Sequence, residues 1–412
     1  MPANKLTVVY QEPLKTMKAM NIINTVKTFI SLMLVSLMPL VTQAGVESEK
    51  HNAQGFPPYT IETLATGLAY PWSLAFLPDG DVLVTERVGY LRRVHNGQVS
   101  DPISGLPEDI YVQSQGGLLD VVLHPDHREN QWLYLSYASG TDKHNTLKLM
   151  RAKLQKGALT DQQLLLTLSP DKDTPVHFGG RMTFLPDNTL LLTTGDGFDY
   201  REHAQRFDSQ MGKIIRLTDD GQAPVDNPFF NLADTANTPK KLTQYIFTLG
   251  HRNSQAILYD PVRKMIFAHE HGPQGGDEVN IIRGGGNYGW PVITQGVDYS
   301  GARISPFTAY PNMLQPLVDW TPSIAPSGMA VHQGEMFGTI NGDLLVSSLK
   351  FKQVYWLQMQ GKQVVSQGEL FAEIGQRLRD IRVHKDGSIY LLTDSAQGSL
   401  LRVRPASEEE SR

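Results

Sequence analysis

The sequence predicts an all-β protein, built as a six-bladed β-propeller with four-stranded antiparallel blades. A hairpin pattern recurs six times, and 36 glycines and 25 prolines are spread along the 412 residues as frequent turns require. The composition, 40% hydrophobic and 19% charged, is typical of a folded globular chain rather than a disordered or membrane-spanning one.

Each repeat consists of two strands with alternating apolar residues around a turn rich in Pro, Asp and Gly. The six copies are 46 to 74 residues apart and begin at Trp72, Leu118, Arg181, Gln255, Gly328 and Asp380. Several copies continue into a third strand, as at 212–217 and 399–403, so we expect about four strands in each blade. A β-sandwich is the alternative, but it does not explain six similar turns. Helix is expected to be minor, near 200–211.

Residues 1–44 are interpreted as an N-terminal extension followed by a cleavable signal peptide. Lys18 and Lys27 precede an apolar stretch at 29–41, and Thr42-Gln43-Ala44 ends in small residues. A retained membrane anchor is the alternative, but 13 apolar residues are few for crossing a bilayer. We therefore expect residues 45–412 to form one propeller domain in the periplasm, without stable membrane insertion.

The charge and the cysteine count exclude several classes of function. The formal net charge of -5 has no block of one sign, so the sequence does not indicate a nucleic-acid partner. The chain contains no Cys, which excludes disulfides, thiolate metal sites and cysteine nucleophiles. Redox chemistry would therefore need a bound cofactor.

Unusual polar motifs lie between the repeats or directly after their strands. They are Gln113–Asp120 (QSQGGLLD), Val176–Arg181 (VHFGGR), Thr193–Gly197 (TTGDG), Gly250–Asn253 (GHRN) and His269–Glu278 (HEHGPQGGDE). Propellers hold ligands on loops at one end of the central channel. The recurrence of these motifs at one end of successive blades therefore predicts a ligand site there.

The motifs QGGLLD, HFGGRMTF, GDG, LGHRN, EHGPQGGDE with GGGNYGWP, SSLKF and RLRDIRVHKDG occur in this order. Together they resemble the soluble pyrroloquinoline quinone (PQQ) sugar dehydrogenases, and in particular their periplasmic aldose sugar dehydrogenase branch. The resemblance covers about 65–404. It implies a six-bladed propeller with bound PQQ and Ca2+ that oxidises the C1 hydroxyl of an aldose to a lactone by hydride transfer. The implied partners are a small aldose and an unidentified periplasmic electron acceptor.

The chemistry of PQQ and the resemblance together give each candidate site residue a role. His177 is the candidate catalytic base and Asp196 its orienting carboxylate. The anionic cofactor would be bound by four cations from three separated blades, Arg252, Lys350, Arg377 and Arg379. Further cofactor contacts would come from Gln115, Asn253 and Tyr299. The glucose-type enzymes have Asp before the base where this chain has Val176, so their sugar contacts are not carried over.

Calcium is expected beside PQQ, because this hard cation prefers oxygen ligands and can polarise a quinone carbonyl. The resemblance places it on main-chain carbonyls at Gly272 and Pro273. A second calcium is carried over to the side chain of Glu278 and the main chain of Tyr288. A solvated Asp277-Glu278 turn without metal is the alternative.

Two other classes of function stay open from the sequence. A Ca2+-dependent propeller hydrolase would centre its metal in the channel with side-chain ligands, and it would have no use for four cationic residues. A non-catalytic propeller that binds a protein or glycan would make His177 and Asp196 incidental.

Overall fold

The computed structural model describes residues 55–407, and these form six four-stranded antiparallel sheets in a ring. The predicted six-bladed propeller is therefore confirmed. The signal peptide predicted for residues 1–44 lies outside the described residues and stays a prediction.

Blades 1 to 3 each begin with an inner strand at the central channel and end with an outer strand. Blade 1 comprises β2 to β5, at Pro71–Phe76, Val82–Glu86, Tyr90–His95 and Gln98–Val99. Blade 2 comprises β6 to β9, at Leu118–Leu123, Trp132–Gly140, Asn145–Gln155 and Ala158–Thr167. Blade 3 comprises β10 to β13, at Gly179–Phe184, Leu190–Thr194, Lys213–Leu217 and Ile246–Leu249.

Blades 4 to 6 complete the ring, and the last blade joins the two ends of the described chain. Blade 4 comprises β14 to β17, at Ser254–Asp260, Met265–Glu270, Asp277–Ile282 and Val318–Trp320. Blade 5 comprises β18 to β21, at Pro326–Val331, Leu344–Ser348, Val354–Gln360 and Gln363–Leu370. Blade 6 comprises β22 to β24, at Leu378–Val383, Ile389–Thr393 and Gly398–Pro405, with β1 at Tyr59–Leu68 as its outer strand. Pairing of β1 with β24 closes the ring, so the sheet of this blade depends on both ends of the fold.

Helix is minor, as expected, but the helix predicted near 200–211 is reduced to a single 3-10 turn at Arg201–Gln205. The carbonyls of His203 and Ala204 also accept hydrogen bonds from the buried Lys213 ammonium, and the Ala204 carbonyl accepts a further one from the Gly250 amide. The other short helices are α1 at His127–Asn130, α2 at Lys240–Thr243, and 3-10 turns at Gly338–Ile340 and Ala372–Ile374.

A hydroxyl on the second strand joins neighbouring blades near the channel. Thr85 accepts a hydrogen bond from the Ser73 amide of its own inner strand and donates to the Leu119 carbonyl of blade 2. Ser136 links the Asp120 amide to the Gly180 carbonyl of blade 3 in the same way. These hydroxyls sit beside register shifts in the inner strands, where the sheet alone would leave amides unpaired.

The side chain of Arg181 extends from blade 3 and contacts all five other blades. Its guanidinium donates to the carbonyls of Gln255 (2.9 Å), Ser327 (2.9 Å), Arg379 (3.3 Å) and Trp72 (3.4 Å), which belong to blades 4, 5, 6 and 1. Its Nη1 lies 3.0 Å from Asp380 of blade 6 and 3.6 Å from Asp120 of blade 2. The side chain is only 2% exposed, so the ion pairs are fully buried. The sequence pattern did not predict this contact of Arg181 with the other blades.

We expect Arg181→Met to destabilise the protein by about 3 to 5 kcal/mol, because removing one partner leaves the carboxylates of Asp120 and Asp380 buried with reduced compensation. Urea unfolding of the cofactor-free protein measures this loss. The exposed Arg128 provides the control variant Arg128→Met, for which we expect little change. Equal stability of the two variants would contradict the role of Arg181 as the link between blades.

Candidate functional site

A cleft of about 310 Å³ opens at the end of the channel where the inner strands begin. Loops and the starts of inner strands from all six blades contribute its walls. The lining residues are Trp72, Arg87, Ser114, Gln115, Phe178, Gly179, Asn253, Gln255, His271, Ala325, Leu349, Arg377, Arg379 and Asp394. The motifs singled out in the sequence therefore do converge on one site.

His177 and Asp196 form a buried hydrogen-bonded pair beside this cleft. The distance from His177 Nδ1 to Asp196 Oδ1 is 2.7 Å, and the two side chains are 5% and 1% exposed. A carboxylate on Nδ1 favours the tautomer in which Nδ1 carries the proton. The lone pair then lies on Nε2, to which no group among residues 55–407 is hydrogen-bonded.

The backbone around the pair is held in place by neighbouring loops. His177 has a φ of 54°, in the left-handed region, and its amide donates to Gln115 Oε1 at 2.9 Å. Gly195 packs so closely against the His177 carbonyl that a Cβ at this position would overlap it. The glycine of the GDG motif therefore allows β11 to bring Asp196 to the histidine.

Asp196 is fixed by three donors from different elements. Besides His177, it accepts hydrogen bonds from the Phe198 amide (2.8 Å) and from the indole Nε1–H of Trp290 (2.8 Å). Its own amide donates to the Arg252 carbonyl of the next blade at 2.8 Å. The carboxylate therefore has one orientation, which in turn fixes the imidazole ring.

Burial lowers the pKa of His177, because desolvation disfavours the imidazolium form. Asp196 opposes this effect, while the positive charges of Arg252 and Lys172 add to it. The imidazole is therefore neutral at near-neutral pH and can accept a proton at Nε2.

Cationic groups line the opposite wall of the cleft. Arg377 and Arg379 both contact Asp394, at 3.2 and 3.0 Å, and Leu378 between them is buried in the core. Arg379 Nε has no hydrogen-bond partner among the described residues. Both arginines line the cleft, so the ion pair and a ligand contact are compatible.

Arg87 is a third guanidinium in the cleft, and the sequence analysis missed it. Its side chain donates to the Ser114 carbonyl and lies over the Tyr70 ring. Burial and the positive charge of Arg379 lower its pKa. A possible sequence signal was its position directly after the second strand of blade 1, equivalent to that of the GDG motif in blade 3.

Three predicted cofactor residues lie outside this cleft. Arg252 and Tyr299 line a neighbouring depression of about 260 Å³, together with Phe198, Trp290 and Pro273. Phe198 packs edge-on against His177 at 5.1 Å and stacks with Tyr299 at 6.2 Å, so the base lies between the two spaces. Lys350 is exposed and donates to the Ser323 carbonyl at 3.0 Å. Gln115 and Asn253, in contrast, line the cleft as expected for cofactor ligands.

The loop carrying the predicted calcium ligands Gly272 and Pro273 is tightly held. The Gly272 amide donates to Asp277 at 2.9 Å, and the other oxygen of Asp277 accepts from the amides of Ile324 and Ala325. The Gly272 carbonyl accepts from Arg252 Nη1 at 2.6 Å. Among residues 55–407, no three His, Asp or Glu side chains are grouped as a metal site. The calcium prediction at this loop uses main-chain oxygens.

Glu278, the predicted ligand of a second calcium, lies in a row of acidic residues across blade 4. It is opposite Glu270 on β15 and Asp319 on β17. Burial and the charge of Glu270 raise the pKa of Glu278 to about 8. An uncompensated carboxylate of this kind fits a hard cation such as Ca2+.

Tyr288 is connected to this acidic row through His251. The His251 ring stacks on Tyr288 at 4.7 Å, and its Nδ1 lies 3.1 Å from Glu270. The Tyr288 hydroxyl donates to the Ile281 carbonyl and accepts from the Arg283 amide, both at 2.8 Å. The Tyr288 hydroxyl is already engaged both as donor and as acceptor, so a metal ligand from this residue would come from the main chain.

The fold and the site together define a β-propeller with a buried His–Asp pair beside a cation-lined cleft at the end of its channel. The model of the glucose/sorbosone dehydrogenase family matches residues 68–402. The chain is also 38% identical over 352 residues to the aldose sugar dehydrogenase of Escherichia coli (strain K12), which covers 84% of this chain and 92% of that protein. The protein belongs to the glucose/sorbosone dehydrogenase family.

Solved structures agree with this assignment. The apo form of the soluble aldose sugar dehydrogenase from Escherichia coli matches with a TM-score of 0.80 and 37% identity, covering 84% of this chain and 100% of that one. The PQQ-bound aldose sugar dehydrogenase from Streptomyces coelicolor matches with a TM-score of 0.67 and 25% identity, covering 84% and 99%. None of the helices formed by residues 55–407 has the length and apolarity that a membrane crossing demands.

Glu278 gives a stability prediction with a defined sign. Its folded pKa of about 8 exceeds the ordinary 4.5, so the folded protein retains a proton that the unfolded chain releases. Without calcium, stability should therefore fall as the pH rises from about 4.5 to 8. We expect the melting temperature of Glu278→Gln in a chelator to fall less over this range than that of the parent. The exposed Glu108→Gln is the control, and identical profiles for all three proteins would contradict the pKa shift.

Proposed function

We propose that this protein is a PQQ- and Ca2+-dependent aldose sugar dehydrogenase that oxidises the C1 hydroxyl of an aldose to a lactone. The observation that carries the proposal is the His177–Asp196 pair at the edge of a cleft with three guanidinium groups. The names of the Escherichia coli relative and of the PQQ-bound Streptomyces coelicolor structure support the same activity.

The charges in the cleft fit a planar polyanion such as PQQ. Arg87, Arg377 and Arg379 face one carboxylate, Asp394, so the lining has an excess of positive charge. The unpartnered Nε of Arg379 would gain an acceptor from a bound carboxylate. Gln115 and Asn253 would add polar contacts, while Arg252 and Tyr299 would bind from the side of the neighbouring depression.

Bound PQQ would supply the two-electron oxidant, with Ca2+ polarising its quinone carbonyl. His177 Nε2 would take the proton of the C1 hydroxyl, as its neutral form allows. Asp196 would hold the Nδ1–H tautomer and stabilise the imidazolium that forms. The closely packed Phe198 would limit access of water to the base on one side.

Calcium would occupy two positions in this proposal. The carbonyls of Gly272 and Pro273 would hold one ion beside the cofactor, and the rigid loop around Asp277 would keep them in place. Glu278 with the main chain of Tyr288 would hold a second ion, which would compensate the acidic row of blade 4.

The signal peptide at residues 1–44 would deliver residues 45–412 to the periplasm as one propeller domain. The substrate would be a small aldose, and electrons would pass from the reduced cofactor to a periplasmic acceptor.

The activity is tested by adding PQQ and Ca2+ to purified cofactor-free protein and following reduction of an artificial acceptor dye with a panel of aldoses. We expect turnover by the parent and a loss of about a hundredfold or more in His177→Gln, because a general base typically contributes this much. PQQ binding should be retained in the variant. The exposed His144→Gln is the matched control. Absence of turnover with every aldose would refute the proposed function.

Cofactor binding by the cationic wall is tested with Arg379→Gln. We expect weaker PQQ binding by about 1.5 to 3 kcal/mol, because a charge-assisted hydrogen bond is lost. The stability of the cofactor-free variant should change little, since Arg377 still pairs with Asp394. Titration of the cofactor-free protein with PQQ at fixed Ca2+ gives the affinity, with Arg128→Gln as the control. Unchanged affinity would remove Arg379 from the cofactor site.

A further inference from the structure

Lys172 is a buried cation that the proposed function does not use. It lies in the segment before β10 and is 6% exposed. Its ammonium donates to Asn145 Oδ1 at 2.9 Å and to the Thr174 carbonyl, and it lies 3.6 Å from the centre of the Phe178 ring. Among the described residues, it forms no ion pair with a carboxylate. Its positive charge is therefore stabilised only by hydrogen bonds to uncharged oxygens and by charged groups farther away.

The side chain of Lys172 packs next to the His177–Asp196 pair. Lys172, His177, Phe178 and Gly195 line one small cavity. The Lys172 alkyl chain contacts Gly197, the residue that follows Asp196, and the Thr174 hydroxyl donates to the Gly197 carbonyl at 2.6 Å. The cation and the pair thus belong to one packed unit.

The electrostatic consequence depends on whether Lys172 is charged when His177 titrates. Burial lowers the pKa of Lys172 to about 7, while the negative charges of Asp196 and Asp173 act in the opposite direction. The pKa of His177 lies below its ordinary value of 6.5. Lys172 is therefore largely charged over the acidic pH range in which the imidazole would take up a proton. The other charged or titratable groups acting on His177 are Asp196, Arg252 and His271.

We propose that Lys172 is a positioning residue whose positive charge keeps His177 unprotonated, and so extends the active form of the base to lower pH. The importance of Lys172 for catalysis rests on the proposed function, whereas its effect on the protonation of His177 does not. A positive charge next to the pair repels the imidazolium. The proton taken from substrate would then also leave the imidazole more readily after the reaction.

Lys213 provides a matched control inside the same blade. It is likewise completely buried, and its ammonium donates to three carbonyls, those of His203, Ala204 and Met211. Its charged neighbours are Asp208 and Arg206 rather than the His177–Asp196 pair. Replacement of either lysine removes a buried ammonium, but only Lys172 should affect the histidine.

The experiment is an NMR titration of the His177 ring in cofactor-free protein labelled with 15N-histidine, with the signal assigned by its absence in His177→Gln. We expect Lys172→Met to raise the pKa of His177 by roughly 0.5 unit or more, because a nearby like charge is removed. Lys213→Met should leave it unchanged. In the loaded enzyme, the acidic limb of the rate profile should move upward by a similar amount in Lys172→Met only.

Lys172→Gln is measured in parallel, because its amide keeps a donor for Thr174 or Asn145 while removing the charge. An unchanged His177 pKa in a folded Lys172 variant would overturn the proposal, even if turnover falls. Loss of folding in both Lys172 variants while Lys213→Met folds would also overturn it, since Lys172 would then serve the scaffold. A shifted His177 pKa without any sugar oxidation would instead retain the electrostatic role and reject the proposed function.

Discussion

The guanidinium of Arg181 is the interaction on which the arrangement of the blades around the channel depends. A propeller blade packs mainly against its two neighbours, so the six inner strands could shift relative to one another. One buried cation that contacts carbonyls and carboxylates of the five other blades sets their relative positions. Because Gly179 and Arg181 belong to the same strand, the fixed channel also fixes the start of β10, which follows His177.

The histidine itself is held by contacts from three blades. Gln115 of blade 2 bonds its amide, Asp196 of blade 3 bonds its ring, and Trp290 of blade 4 bonds that carboxylate. A left-handed φ at a non-glycine residue is unfavourable by itself, so these neighbours must hold it. The site therefore exists only when the blades are assembled.

Charge is separated in the site region. Positive guanidinium groups face the cleft, whereas the acidic row of Glu270, Glu278 and Asp319 lies across the strands of blade 4. The first arrangement suits an anionic ligand and the second suits a cation. Both are unfavourable for an empty protein, so ligand and metal binding should be coupled to stability.

The sequence is enough to predict the propeller, because six similar hairpins with period-two strands can bury their apolar faces only against one another. It also identified the loops of the site, since QGGLLD, VHFGGR and TTGDG each lie at a strand boundary. His177 and Asp196 follow from this pattern, as the two loops belong to paired strands of one blade.

Which charged side chains meet depends on how the blades assemble. Arg87 and Asp394 lie more than 300 positions apart in the chain yet line one cleft, and no local pattern links them. Nothing in the sequence distinguishes Arg252 and Lys350 from Arg379 as cofactor-binding cations. In the structure, however, Arg252 lines a neighbouring depression and Lys350 lies at the surface. The burial of Arg181 and Lys172 could likewise not be predicted from the sequence, because cationic side chains are normally exposed. Only the assembled blades provide the oxygens to which these two side chains donate hydrogen bonds.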